Sequence, residues 1–228
     1  MAKVTGAEAG PKAKPAWRSA AVRDWRAYFD RVEGDPPRDT ALLALDRFDA
    51  ESLADASKTA IDLGCGSGRD TAEMLRRGWA VEAIDGTPEA FARLVHAPGI
   101  GPSERLTMRL VDFERLTALR PARLVNASFS LPFCPPEHFE RVWGLVRTVV
   151  EPGGRFAGQL FGDRHSWATI ADRSHQTRAE ADAMLEGWTL ERFDEAEKDG
   201  DDAEGNAVHW HVFHVVARRP AGAHGRPG

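Results

Sequence analysis

The chain has 228 residues, 42% of them hydrophobic and 29% charged, with a formal net charge of −5. That is the balance of a folded soluble domain rather than a disordered chain, and the acidic excess speaks against nucleic acid as a partner. Two cysteines, Cys65 and Cys134, lie far apart, so a disulfide scaffold is excluded and we expect reduced thiols in a cytoplasmic protein. With no C-x-x-C pair no metal is expected. No apolar run reaches the ~18 residues a membrane helix needs.

Residues 1–16 read as a flexible tail without the apolar stretch of a signal peptide. A helical segment follows over 17–54. Its first helix carries Val22, Trp25 and Phe29 at helical spacing and is broken at Gly34-Asp35-Pro36-Pro37. Its second starts near Asp39, with Leu42, Leu45 and Phe48 on one stripe.

The rhythm then changes. Thr59 to Leu63 is a buried strand running into glycines, followed by a helix over Thr71 to Arg77. Trp79 to Ile84 is a second strand, and Pro88 suits the first turn of a helix reaching Val95. Further strands are expected at Arg105 to Val111, Leu124 to Phe129 and Arg155 to Phe161, with a long helix over Glu137 to Val150. Alternating strands and helices imply right-handed crossovers and a mainly parallel sheet covered on both faces. Trp188 to Glu195 and Val208 to Ala217 read as an antiparallel edge hairpin whose acidic connection, Glu197 to Asn206, is a solvated tip. Residues 218–228 read as a second loose tail.

The chemistry lies after the first strand, in Asp62-Leu63-Gly64-Cys65-Gly66-Ser67-Gly68. Glycines permit tight turns and close approach of a ligand to the backbone, and the helix beyond offers free N–H donors. The spacing is G-x-G-x-G, not the dinucleotide G-x-G-x-x-G. Asp85 ends the second strand, where a carboxylate takes ribose hydroxyls, and Asp112 ends the third, where one accepts from an adenine amino group. Three acids at successive strand ends suit a cationic sulfonium nucleoside better than a pyrophosphate, which Asp62 would repel.

These motifs resemble those of the class I S-adenosylmethionine-dependent methyltransferases. Ala60 to Asp70 looks like their first motif, Val81 to Asp85 their second, Val111-Asp112-Phe113 their third, and Glu151-Pro152-Gly153-Gly154 the turn before their fifth strand. Gly68-Arg69-Asp70 and Gly78-Trp79 are similar to the small bacterial branch containing tellurite-resistance (type 11–12) methyltransferase domains. The resemblance implies a Rossmann-like, doubly wound α/β fold with a mainly parallel seven-stranded sheet over 55–217. It implies S-adenosylmethionine as donor and S-adenosylhomocysteine as product. Gly64, Cys65, Gly66, Ser67, Gly68 and Arg69 would lie along its methionine part with Asp62 near the amino group. Asp85 and Gly86 would meet the ribose, Asp112 and Phe113 the adenine, and Ala127 and Ser128 the sulfonium region.

The second substrate is read as a small-molecule acceptor. In-line displacement needs alignment and exclusion of water more than a strong base. Phe129 and Phe133 are candidate acceptor walls, as are Trp25 and Tyr28 from a lid over 17–54, with Arg38 near a carboxylate. Arg164 and His165 follow the fifth strand, and His165 is the candidate base. His209, His211 and His214 are read as sheet-face residues. A non-catalytic S-adenosylmethionine-binding regulator and, behind it, a nicotinamide-dependent oxidoreductase are the alternatives. Neither the acceptor nor an oligomeric state is legible.

Overall fold

The structure, a computed structural model, describes residues 24–100 and 103–221. In chain order the elements are α1 (Trp25–Arg31), α2 (Asp39–Ala50), β1 (Thr59–Leu63), α3 (Arg69–Arg76), β2 (Ala80–Asp85), α4 (Pro88–Leu94), β3 (Leu106–Leu110), β4 (Ala122–Ala127), α5 (Pro136–Val149), β5 (Val150–Gly162), β6 (His175–Gln176), α6 (Arg178–Met184), β7 (Thr189–Asp201) and β8 (Ala207–Arg218). The sheet order is β3-β2-β1-β4-β5-β8-β7, and the two-residue β6 pairs with β5 as an eighth strand. β1 to β5 are parallel; β8 runs antiparallel to β5 and to β7. This is the expected doubly wound sheet with an antiparallel edge. The order reverses between β1 and β4, the point where open α/β sheets bind ligands.

Side-chain alternation divides the core into two layers. Ile61, Leu63, Val125, Phe156, Phe213 and Val215 face α5 and α6. Ala60, Val81, Leu124, Ala157 and Val216 face Met74 of α3 and the Ala44/Leu45/Phe48 stripe of α2. Leu45 and Phe48 lie on the expected stripe of α2, but Leu42 is only half-buried and Ala41 and Ala44 complete the buried face. Arg155, 1% exposed, ties the α2 side to the edge strand: its guanidinium meets Glu51 at 2.6 Å and Glu191 at 2.6 Å.

Four expectations are corrected. α3 begins at Arg69, two residues early, because Gly68 at φ +92° makes the turn into it. β4 stops at Ala127, and Phe129 is not strand but a left-handed residue at φ +51°. The hairpin is longer than expected. Glu197 to Asp201 belong to β7 rather than to a tip, and their charge is met by Arg164 on Glu197 and by His209 on both Glu197 and Asp199. Trp17, Val22, the tail at 1–16 and residues 222–228 of the second tail lie outside the described residues, and Arg218, expected in that tail, ends β8 paired with Arg155 and Thr189.

Candidate active site

The glycine loop is anchored by the strand beside it. The N–H groups of Gly64 and Cys65 both donate to the carbonyl of Ile84, at 2.8 and 3.0 Å. The N–H of Gly66 donates to Asp85 Oδ2 at 2.9 Å, and that of Thr87 to Asp85 Oδ1 at 2.8 Å. Gly64, at φ +76°, admits no other residue, since a Cβ would stand 2.3 Å from Ser130 Cβ. Gly68 faces Leu94 of α4, not the ligand side; a Cβ there would meet Leu94 Cγ at 2.9 Å.

Beneath the loop is a buried polar network. Asp62 accepts from Thr71 Oγ1 at 2.5 Å and from Asn126 Nδ2 at 2.9 Å. The same Asn126 nitrogen reaches Asp70 Oδ2 at 3.1 Å, and Asp70 Oδ1 accepts the backbone N–H of Arg38 at 2.9 Å. Burial, with Asp70 adding to it and the hydrogen bonds from Thr71 and Asn126 opposing, pushes the Asp62 carboxyl up to about 7. Burial likewise raises Asp85, and holds the Cys65 thiol well above its usual value, so that thiol is inert.

Above the loop opens a cavity of about 450 Å3. Asp62, Gly64, Cys65, Gly66, Ser67 and Arg69 line its floor and side; Asp85, Gly86, Asp112 and Phe113 line one end; Ser128, Phe129 and Phe133 line the other. Trp25, Tyr28, Phe29 and Val32 of the α1 segment form its roof. The structure thus brings together nearly every expected nucleoside-side residue. Ala127 is the second exception after Gly68: it is fully buried in the layer facing α5 and is not on the wall.

A second cavity, about 560 Å3, adjoins the first, and Tyr28, Val32, Arg69, Phe129 and Phe133 line both. Its remaining walls come from the loop at 35–37, Arg38 and the start of α2, from Gln159 and Phe161 on β5, from Trp167, from residues 196 and 198–201 of β7, and from Trp210, Val212 and His214 on β8. Register explains the convergence: Gln159 lies opposite His214 and Phe161 opposite Val212, so all four face one side of the sheet. At the junction Gln159 Oε1 accepts the N–H of Phe129 at 3.0 Å while its Nε2 donates to Thr40 Oγ1 at 2.9 Å. That pair of bonds holds Phe129 in a left-handed conformation costly for a bulky residue.

Two acceptor-side expectations fail. His165 lines neither cavity. It is 2% exposed, stacked on Phe161 at 4.2 Å, and its Nδ1 accepts the N–H of Trp167 as the cap of a short helical turn. Burial, with His175 adding to it, drives it down to about 3, so it is neutral and sealed off. Arg164 is also absent from both walls; its guanidinium is engaged by Glu195 and Glu197 of β7. Those two carboxylates converge with His211 within metal-ligand reach of one another, and Arg164 is the cation that sits among them. Gln159, Trp167, Trp210 and His214 were missed. Period-two alternation along β8 places Trp210 and His214 on one face, which was the available signal for those two.

An open α/β sheet with a glycine loop and acids at successive strand ends is an architecture that binds ligands beyond the carboxyl ends of its strands. Residues 60–154 match the family described as methyltransferase domain. The chain is similar to the carboxy-S-adenosyl-L-methionine synthase of Ectopseudomonas mendocina (strain ymp), 31% identical over 113 residues, 46% of this chain and 46% of that relative. The match thus spans about half the length of the curated relative. Among solved structures, TehB from Haemophilus influenzae superposes with a TM-score of 0.62 at 16% identity, covering 76% of this chain and 61% of that one. The N-methyltransferase NodS of Bradyrhizobium japonicum WM9, in complex with S-adenosyl-L-homocysteine, gives 0.60 at 16% identity, covering 83% and 91%. The 1,6-didemethyltoxoflavin-N1-methyltransferase of Burkholderia thailandensis gives 0.55 at 18%, covering 86% and 80%. At these identities the likeness is one of fold. No helix among the described residues is long and apolar enough to cross a membrane.

Proposed function

We propose that the protein transfers the methyl group of S-adenosylmethionine to a small molecule, with the donor in the first cavity and the acceptor in the second. The observation that carries this reading is the junction: two cavities, one ringed by strand-end acids and one by aromatic rings, share the walls Tyr28, Phe129 and Phe133. A bound donor supplies an already activated methyl on a sulfonium.

The residues fit that donor. Each Asp85 oxygen accepts one backbone N–H and keeps a lone pair for a ribose hydroxyl. Asp112, its Oδ1 held by the N–H of Arg115, stands beside Phe113 at the end suited to adenine. A sulfonium and an ammonium over Asp62 and Asp85 would favour the ionised carboxylates that burial opposes. Ser128, Phe129 and Phe133 border the place where the methyl passes. Residues 24–54 act as a lid, Trp25 of α1 packing edge-on to Phe133 at 5.1 Å, so that water is kept from the junction. We infer a cytoplasmic setting from the two free, buried cysteines.

Calorimetric titration with S-adenosylmethionine and S-adenosylhomocysteine tests the reading, followed by turnover of labelled donor against amine, hydroxyl, thiol and metalloid acceptors. Binding with turnover is expected. No binding sinks the assignment; binding without turnover on a broad acceptor panel favours a regulator; a fluorescence response to NADH favours an oxidoreductase.

A further inference from the structure

Arg38 is a half-buried cation on the lining of the second, aromatic cavity. Its guanidinium lies over the Phe129 ring at 4.7 Å, at the junction of the two cavities. It makes no ion pair among the described residues, and its buried Nε has no hydrogen-bond partner. The other arginines nearby differ: Arg69 pairs with Asp35 at 3.4 Å and lies 3.9 Å from Asp70, and Arg164 is held by Glu195 and Glu197. Burial and the charge of Arg69 pull the Arg38 guanidinium below its usual value despite Asp70 and Asp35. A half-buried charge left unpaired is costly, and a ligand that supplies the opposite charge recovers the cost.

The acids on the same cavity do not serve. Asp35, Asp39, Asp199 and Asp201 are exposed, at the rim; Asp35 is engaged by Arg69 and Asp199 by His209. Around Arg38 the wall is aromatic: Tyr28, Phe129, Phe133, Phe161, Trp167 and Trp210. Such surfaces bind flat rings by stacking and edge contacts. Of the other polar groups on the lining, Gln159 is neutral, burial and Arg192 hold the His214 imidazole below its usual value, and the second cation, Lys198, is exposed on β7 rather than half-buried as Arg38 is.

We propose that the second cavity takes an aromatic carboxylate, its ring between the aromatic walls and its anionic group on the Arg38 guanidinium. This deepens the methyl-transfer reading by naming the acceptor class, and rests on that reading for the ligand's being an acceptor at all. The carboxylate would sit at the junction, so the methylated atom lies on it or close to it.

The probes are benzoate, naphthalene-2-carboxylate and indole-3-acetate, each against its uncharged amide, titrated by calorimetry with and without saturating S-adenosylhomocysteine. The variant is Arg38→Gln, whose backbone N–H still reaches Asp70. At least one acid is expected to bind about tenfold or more tightly than its amide, and the variant to lose that preference while keeping wild-type affinity for S-adenosylhomocysteine. The proposal is overturned if no acid binds at millimolar concentration, if acid and amide bind alike, or if the preference survives in Arg38→Gln. It is also overturned if the variant loses about tenfold in S-adenosylhomocysteine affinity, because Arg38 then serves the donor's own carboxylate. Failure of wild-type protein to bind S-adenosylhomocysteine while it prefers acids would instead remove the methyl-transfer reading alone.

Discussion

Asp85 accepts the N–H of Gly66 at 2.9 Å, so the end of the second strand grips the glycine loop that follows the first. One carboxylate therefore shapes the loop and lines the first cavity. Asp85→Ala removes both functions. Affinity for S-adenosylhomocysteine should fall by well over tenfold, since hydrogen bonds to a charged group contribute about 1.5–3 kcal/mol each. Asp85→Asn, which keeps one acceptor oxygen, should lose less. Calorimetry on the two variants checks the order, and equal affinities for all three proteins would remove Asp85 from the site.

Gly64→Ala and Gly34→Ala separate steric clash from backbone strain. Both glycines have positive φ, +76° and +80°, but a Cβ at Gly34 meets nothing within 4 Å whereas one at Gly64 stands 2.3 Å from Ser130 Cβ. Gly34→Ala should cost roughly 1 kcal/mol of stability. Gly64→Ala adds overpacking of about 1–3 kcal/mol and displaces the loop. Urea denaturation midpoints measure the gap, and binding should fail only in Gly64→Ala.

His165 should matter to stability rather than to catalysis. Its folded value is about 3, against an ordinary 6.5. Above pH 6.5 it is neutral in both states. Below that the unfolded chain takes a proton the folded one refuses, so stability falls as pH drops from about 6.5 towards about 3. His175, held near 4 by burial, adds in the same sense. His165→Asn keeps a side-chain acceptor for the Trp167 N–H and should show a shallower loss of melting temperature between neutral and acid pH, with unchanged turnover. A large drop in kcat at neutral pH would restore His165 as a participant.

Arg155→Ala should be among the most destabilising single changes in the sheet. The guanidinium is 1% exposed and holds both Glu51 and Glu191. Its loss leaves the largely buried Glu191 uncompensated, at a cost of about 3–5 kcal/mol. Arg155→Lys should recover only part, because lysine lacks the fork that meets two carboxylates at once. Thermal melts of the three proteins decide it.

The half of the molecule that is local in sequence was legible. Asp62, the glycines, Asp85 and Asp112 declare themselves by spacing, and the alternation of strands and helices fixed the parallel sheet. What depends on register between distant strands was not. Gln159 and His214 are 55 residues apart and share a wall only because β5 and β8 pair with those residues opposite. His165 was favoured over His214 for the converse reason: it follows β5 as a catalytic loop residue would, but Trp167 and Phe161 fold over it. The acidity of Glu197 to Glu204 suggested a solvated tip because the cations that neutralise part of it, Arg164 and His209, come from elsewhere in the chain.

The second cavity draws most of its wall from outside residues 60–154, on α1, the start of α2, β5, β7 and β8. A substitution at Trp210, Val212 or His214 therefore reshapes what is admitted without touching the loop at Gly64 or the carboxylate of Asp85. On the proposed reading, evolution, or an engineer, can retune the choice of acceptor by rewriting an edge hairpin while leaving the donor cavity as it stands.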